Sequence, residues 1–118
     1  MKTIFEEVKD ALDVHEEDTA FDTELTLLLS STMSILSQLG AHESADVRFS
    51  KELTWDAYEA SAHDGDFDMV KTYILLKVRL GFDPPTASTL TYIKEAIKEL
   101  EWRIKESYTG DYVYEEHK

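Results

Sequence analysis

The run Asp64-Gly65-Asp66-Phe67-Asp68 sets carboxylates at alternate positions, the pattern with which a calcium-binding loop opens. Such a loop needs glycine at its sixth position for a sharp turn and a bidentate acid at its twelfth. Counted from Asp64, those positions hold Met69 and Leu75. The run is therefore read as a solvated turn in which Asp66 caps the helix that follows. His15 beside Glu16, Glu17 and Asp18 is the other cluster of metal-ligand types, but consecutive residues at a helix start point in different directions. No second histidine stands at the i, i+4 spacing of the zinc helix motif. His42 and His63 fall in connections and His117 near the end of the chain, so no catalytic dyad is proposed. The serines include no Gly-x-Ser-x-Gly elbow, and there is no Gly-x-x-x-x-Gly-Lys-Ser/Thr phosphate loop. The expectation is a protein that is not an enzyme, with no catalytic residue, cofactor or metal.

What must then be explained is a surplus of acid. The chain of 118 residues carries a formal net charge of −13, with 42% hydrophobic and 31% charged residues, a composition that folds as one domain. Affinity for a phosphate backbone comes mainly from Lys and Arg releasing counterions, so tight DNA binding is not expected. The acid is uneven. Residues 1–24 hold nine acids against two bases and residues 40–68 eight against two, whereas 69–86 hold only Asp83 against Lys71, Lys77 and Arg79. Without cysteine there is no disulfide framework and no need of an oxidising compartment. The first residues turn acidic at once and lack a signal-peptide pattern. The uncharged run Leu25–Leu39 is interrupted by Ser and Thr and is too short for a membrane span, so it is read as a buried helix.

Caps and periodicity predict the elements. Thr3 and Glu6 have the spacing of a capping box and begin a short helix that ends near Asp13 or Val14. Thr19 with Asp22 suggests the cap of a long second helix built on Phe21, Leu25, Leu28, Leu29, Leu36 and Leu39, ended by Gly40 in the left-handed conformation. Residues 41–50 read as loop, with Val47 and Phe49 alternating as in a short extended segment. Thr54 caps a minor helical turn near 55–60 containing Trp55 and Tyr58. A third, largely apolar helix runs from Phe67 until Asp83-Pro84-Pro85 stops it. Thr86 or Ser88 caps a last helix, where Leu90, Ile93, Ile97, Leu100 and Ile104 repeat in heptad steps amid alternating Lys and Glu. The fold expected is all-α: a small four-helix domain over 1–107 with an extended C-terminal tail over 108–118.

Some aromatic residues exceed what this core needs. Tyr92 and Trp102 lie off the heptad seam, and Trp102 is open to two readings, a subunit contact or packing against the tail of its own chain. Tyr108, Tyr112 and Tyr114 suit a segment that orders on a partner, an ordinary frayed terminus being the alternative.

The stretch from Asp68 through Val70-Lys71-Thr72-Tyr73-Ile74-Leu75-Leu76-Lys77-Val78-Arg79-Leu80-Gly81-Phe82-Asp83-Pro84-Pro85 to Thr86 resembles a signature of phage head-tail connector (adaptor) proteins. Glu99-Leu100-Glu101-Trp102-Arg103-Ile104 and Thr54-Trp55-Asp56 are similar to flanking segments of that family. The resemblance is strongest over residues 50–106, and Gly81 departs from the larger apolar residue expected there, which would loosen the helix end. It implies a virion protein of the neck, assembled in the host cytoplasm. It also implies a homo-oligomeric ring, commonly of 12 subunits, beneath the portal protein. That ring would extend the DNA channel and offer a platform to the stopper or tail-terminator protein, with DNA passing unbound and no membrane involved. On that reading the candidates for channel-facing acids are Asp10, Asp13, Glu16, Glu17, Asp18, Asp64 and Asp66. Tyr92, Trp102, Tyr108, Tyr112 and Tyr114 are candidates for the subunit or portal interface, and removing 108–118 should spare the fold and abolish attachment. The rival reading is an acidic helical regulator that mimics DNA toward a basic protein partner, which requires carboxylates in paired rows.

Overall fold

The computed structural model describes residues 3–41, 49–62 and 65–109. These form five helices, α1 (Ile4–Ala11), α2 (Asp22–Gln38), α3 (Trp55–Ala60), α4 (Phe67–Phe82) and α5 (Ala87–Thr109), and no named strand among the described residues. The all-α class and the four main helices with a minor fifth agree with the sequence reading.

Each start is set by local chemistry. At α1 the capping box is complete: Glu6 N–H donates to Thr3 Oγ1 at 3.1 Å and Thr3 N–H to Glu6 Oε1 at 3.0 Å. Thr54 caps α3 by accepting from Ala57 N–H at 3.1 Å, and Asp66 caps α4 by accepting from Asp68 N–H at 3.1 Å. Replacing Thr54 with alanine is expected to cost about 1 kcal/mol, read as a lower melting temperature.

Two helices end in a Schellman turn, whose paired backbone bonds satisfy carbonyls the helix leaves open. After α2, Gly40 has φ 100°, Ala41 N–H reaches Leu36 O at 3.0 Å and Gly40 N–H reaches Ser37 O at 3.1 Å. After α1 the same pair of bonds joins Val14 N–H to Lys9 O at 2.9 Å and Asp13 N–H to Asp10 O at 3.1 Å, with Asp13 at φ 61°. Glycine takes this left-handed position at less cost than aspartate. Asp13→Gly is therefore expected to raise stability by roughly 0.5–1 kcal/mol in a denaturant titration.

Helix α4 is the axis of the core, burying Phe67, Val70, Tyr73, Ile74 and Val78. It packs against both α2 and α5. A Cβ on Gly81 would stand 2.6 Å from Leu28 Cδ2, and Phe82 meets the Phe21 ring edge-on at 5.2 Å, so this side of α4 faces α2. Gly81 therefore serves a close helix approach, and α4 continues through it to Phe82 instead of loosening there. The other side faces α5, where Tyr73 Oη donates to Glu101 Oε2 at 2.7 Å and Ile93, Ile97 and Ile104 are buried. Tyr73→Phe is expected to cost about 1–2 kcal/mol, because the hydrogen bond to a charged acceptor disappears while the ring packing stays.

Helix α1 closes the assembly with Ile4, Phe5 and Val8. An isolated antiparallel bridge of Thr3 with Thr54, and Ile4 N–H donating to Leu53 O at 2.9 Å, tie α1 to the start of α3. Trp55 and Tyr58 in turn set their rings against Phe67 at 6.4 and 5.8 Å.

Candidate functional site

The structure gathers five of the seven singled-out acids in one place. Asp10, Asp13, Glu16, Glu17 and Asp18 are all exposed on the end of α1 and the connection to α2. A connection this polar gains little from burial, so something must hold it. That is Lys9, the last basic residue of α1, which is only 2% exposed. Its ammonium donates to Glu16 O at 3.2 Å, Asp18 O at 2.7 Å and Asp22 Oδ1 at 3.0 Å, so all three of its protons are used on the loop and on the first residue of α2. Lys51 takes the other oxygen of Asp22 at 3.0 Å, and both ammoniums stand over the Phe5 ring, at 5.4 and 5.2 Å. Buried cation and clamped backbone together fix an acidic shoulder.

Asp22 is thereby diverted from helix capping. Its carboxyl lies below the ordinary 3.8, chiefly through the hydrogen bonds from Lys51 and Lys9. Because the folded form resists protonation more than the unfolded chain, the stabilisation is present above 3.8 and is lost as pH falls below it. The expected result is an acid limb in the melting-temperature profile that flattens in Asp22→Asn.

Asp66 stands apart from this shoulder. It lies at the start of α4, roughly 20 Å along that helix from Arg79, which lines a cavity with Ala11 and Leu12 of α1. Asp66 N–H donates to Ser107 Oγ at 3.0 Å, so this acid belongs to the junction of α4 with the far end of α5. Asp64, Tyr112 and Tyr114 lie outside the described residues.

Tyr108 belongs to α5 and not to a separate tail, and its side chain is half-buried. Its ring lies so close to Gly65 that a Cβ there would meet Tyr108 Cε1 at 2.5 Å and Cζ at 2.7 Å. The phenol is pushed up to about 12, first by burial and then by the charges of Asp66 and Glu59. An aromatic ring cannot swing aside as a flexible side chain end can, so Gly65→Ala is expected to cost about 1–3 kcal/mol in thermal unfolding.

Tyr92 and Trp102 remain exposed, at 72% and 63%. Tyr92 edges an open groove between α4 and α5 with Thr72, Leu76, Ala96, Leu100 and the Arg103–Glu99 ion pair, whose nitrogen and oxygen are 2.7 Å apart. Leu27, on α2, is a third exposed apolar side chain, at 66%, and Phe21 is partly covered by Phe82. Leu27 is not among the residues the sequence analysis singles out; its place two residues from both buried Leu25 and buried Leu29 is the signal that shows it pointing outward.

Among the described residues no three His, Cys, Asp or Glu side chains group to hold a metal ion, and no helix is long and apolar enough to cross a membrane. His15 is exposed, its Nδ1 accepting from Glu17 N–H at 3.4 Å. What the surface offers is a fixed acidic shoulder and apolar side chains on two helices, suited to contacts between macromolecules.

No curated protein and no solved structure matches the chain. A family model described as phage connector protein matches residues 4–111, a span that takes in all five helices. The chain therefore belongs to the phage connector protein family, whose role in the virion is structural.

Proposed function

We propose that the protein assembles as a homo-oligomeric ring, commonly of twelve copies in such connectors, beneath the portal protein of a tailed double-stranded DNA phage. The ring extends the DNA channel, and its far side receives the stopper or tail-terminator protein. DNA passes through without specific binding. The observation that carries this reading, beyond family membership, is the shoulder of Asp10, Asp13, Glu16, Glu17 and Asp18 held by buried Lys9. A wall of fixed carboxylates repels a polyanion at short range and is screened at the ionic strength of the cell beyond about 8 Å, so it guides DNA without capturing it. Asp66 is assigned to the same lining at a different level, and Asp64 is kept as a candidate for it. Tyr108 contributes to the fold, while Tyr112 and Tyr114 are assigned to portal attachment.

Sedimentation of the isolated protein is expected to show monomer or weak oligomer when dilute and larger species when concentrated. Negative-stain microscopy after mixing with the portal is expected to show added density on the portal's axis. Failure to bind the portal, with tight binding to a basic DNA-binding protein instead, would sink the connector reading in favour of a DNA mimic.

A further inference from the structure

A closed ring of identical chains needs two different patches on each copy, placed on opposite flanks and complementary to one another. This inference rests on the ring reading above and names the two patches. Helices α2 and α5 both pack on α4, which meets Phe21 at the start of α2 through Phe82 and α5 through Tyr73, side chains about half a turn apart, and each of the two helices turns one face outward. Among the described residues, the four large exposed hydrophobic side chains sit on these two flanks: Phe21 and Leu27 at α2, Tyr92 and Trp102 on α5.

Charge makes the same selection. Two copies of a chain at −13 repel each other unless they meet where the net charge vanishes. From Thr26 to Gln38, α2 has no charged residue, and over Ala87–Thr109 four bases, Lys94, Lys98, Arg103 and Lys105, balance four acids, Glu95, Glu99, Glu101 and Glu106. The balanced charges are also sorted. Lys98 and Lys105 stand four before and three after Trp102 and share one edge of the helix, while Glu99 and Glu106, three before and four after, share the other. On α2, Glu24 stands three before Leu27 on the same edge as Ser31, whereas the opposite edge holds Thr23 and Ser30, with the half-exposed Lys51 bordering Thr23 and Leu27.

We propose that Leu27 of one copy packs against Trp102 of the next, with the Lys98–Lys105 edge of α5 facing Glu24 of α2, and that this head-to-tail contact closes the ring. The buried aromatic anchor gives the affinity, and the lysine edge against Glu24 sets the orientation.

The full-length protein tests this at concentrations where it self-associates, and on the portal. Leu27→Asp and Trp102→Ala are each expected to weaken self-association by at least about tenfold in sedimentation, with unchanged helical circular dichroism because both side chains are exposed. The double variant should be little worse than the stronger single one, since both remove the same contact. The chain has no cysteine of its own, so Ser31→Cys in one preparation and Lys98→Cys in another, mixed with a short bis-maleimide, should link 31 to 98 across copies. Wild-type rings that the two substitutions leave unchanged, or links of 31 to 31 and 98 to 98 in place of 31 to 98, would overturn this contact and leave the ring reading standing. Absence of any wild-type ring, alone or on the portal, would overturn both.

Discussion

Replacing Lys9 with methionine is expected to lower the stability of the protein by about 3 kcal/mol, a fall in melting temperature on the order of 10 °C. Methionine fills similar space, so the loss is electrostatic. The carbonyls of Glu16 and Asp18 lose the donor that holds them, and Asp22 keeps only Lys51. The effect should reach function as well, because the five exposed carboxylates of this shoulder are positioned through the backbone that Lys9 clamps. Limited proteolysis between His15 and Ala20 should accelerate in the variant while α4 and α5 stay protected. Equal resistance in both proteins would show that the loop holds its shape without the lysine.

Two truncations should separate fold from attachment. Ending the chain after Thr109 is expected to leave the melting temperature within a few degrees of the full protein and to abolish binding to the portal, as Tyr112 and Tyr114 are removed. Ending it after Ser107 removes Tyr108 too, at an expected cost of about 2–3 kcal/mol, because the ring packed on Gly65 goes with it. We accordingly place the boundary between domain and tail after Thr109, two residues beyond the expectation from sequence. Portal binding that survives loss of 110–118 would move attachment onto the helical domain.

That difference shows where the sequence is legible. Thr3 with Glu6, Thr54 and Asp66 cap the helices as their spacing predicts, and Ile93, Ile97 and Ile104 are buried at heptad steps. These features depend on neighbours within one turn, so the local pattern suffices. Gly40 is the same kind of case, since a left-handed residue at a helix end is a local demand.

Most of the misses involve partners far along the chain. Thr19 was expected to cap α2, but the helix starts at Asp22 after Phe21, and the turn before it is held by Asp18 Oδ1 accepting from Ala20 N–H at 3.0 Å. The acid that looked like a second capping residue is consumed by Lys9, thirteen residues before it, and Lys51, twenty-nine after it. Nothing in the pattern around Lys9 distinguishes it from a solvated base; only the tertiary fold brings its acceptors together. Gly81 was expected to loosen a helix end because its partner Leu28 is distant in sequence, and Tyr108 was assigned to a tail because Gly65 is. The acidic shoulder itself was legible as composition, five acids between positions 10 and 18, whereas the anchor that turns composition into a surface was not.

Negative-stain or cryo-electron microscopy of the protein mixed with the portal of its own phage tests the connector account most directly. The expected image is a ring of this chain coaxial with the portal, continuing its channel, with the residues 10–18 shoulder toward the axis. A portal that stays bare at saturating protein, or decoration at its rim that leaves the axis unextended, would contradict it.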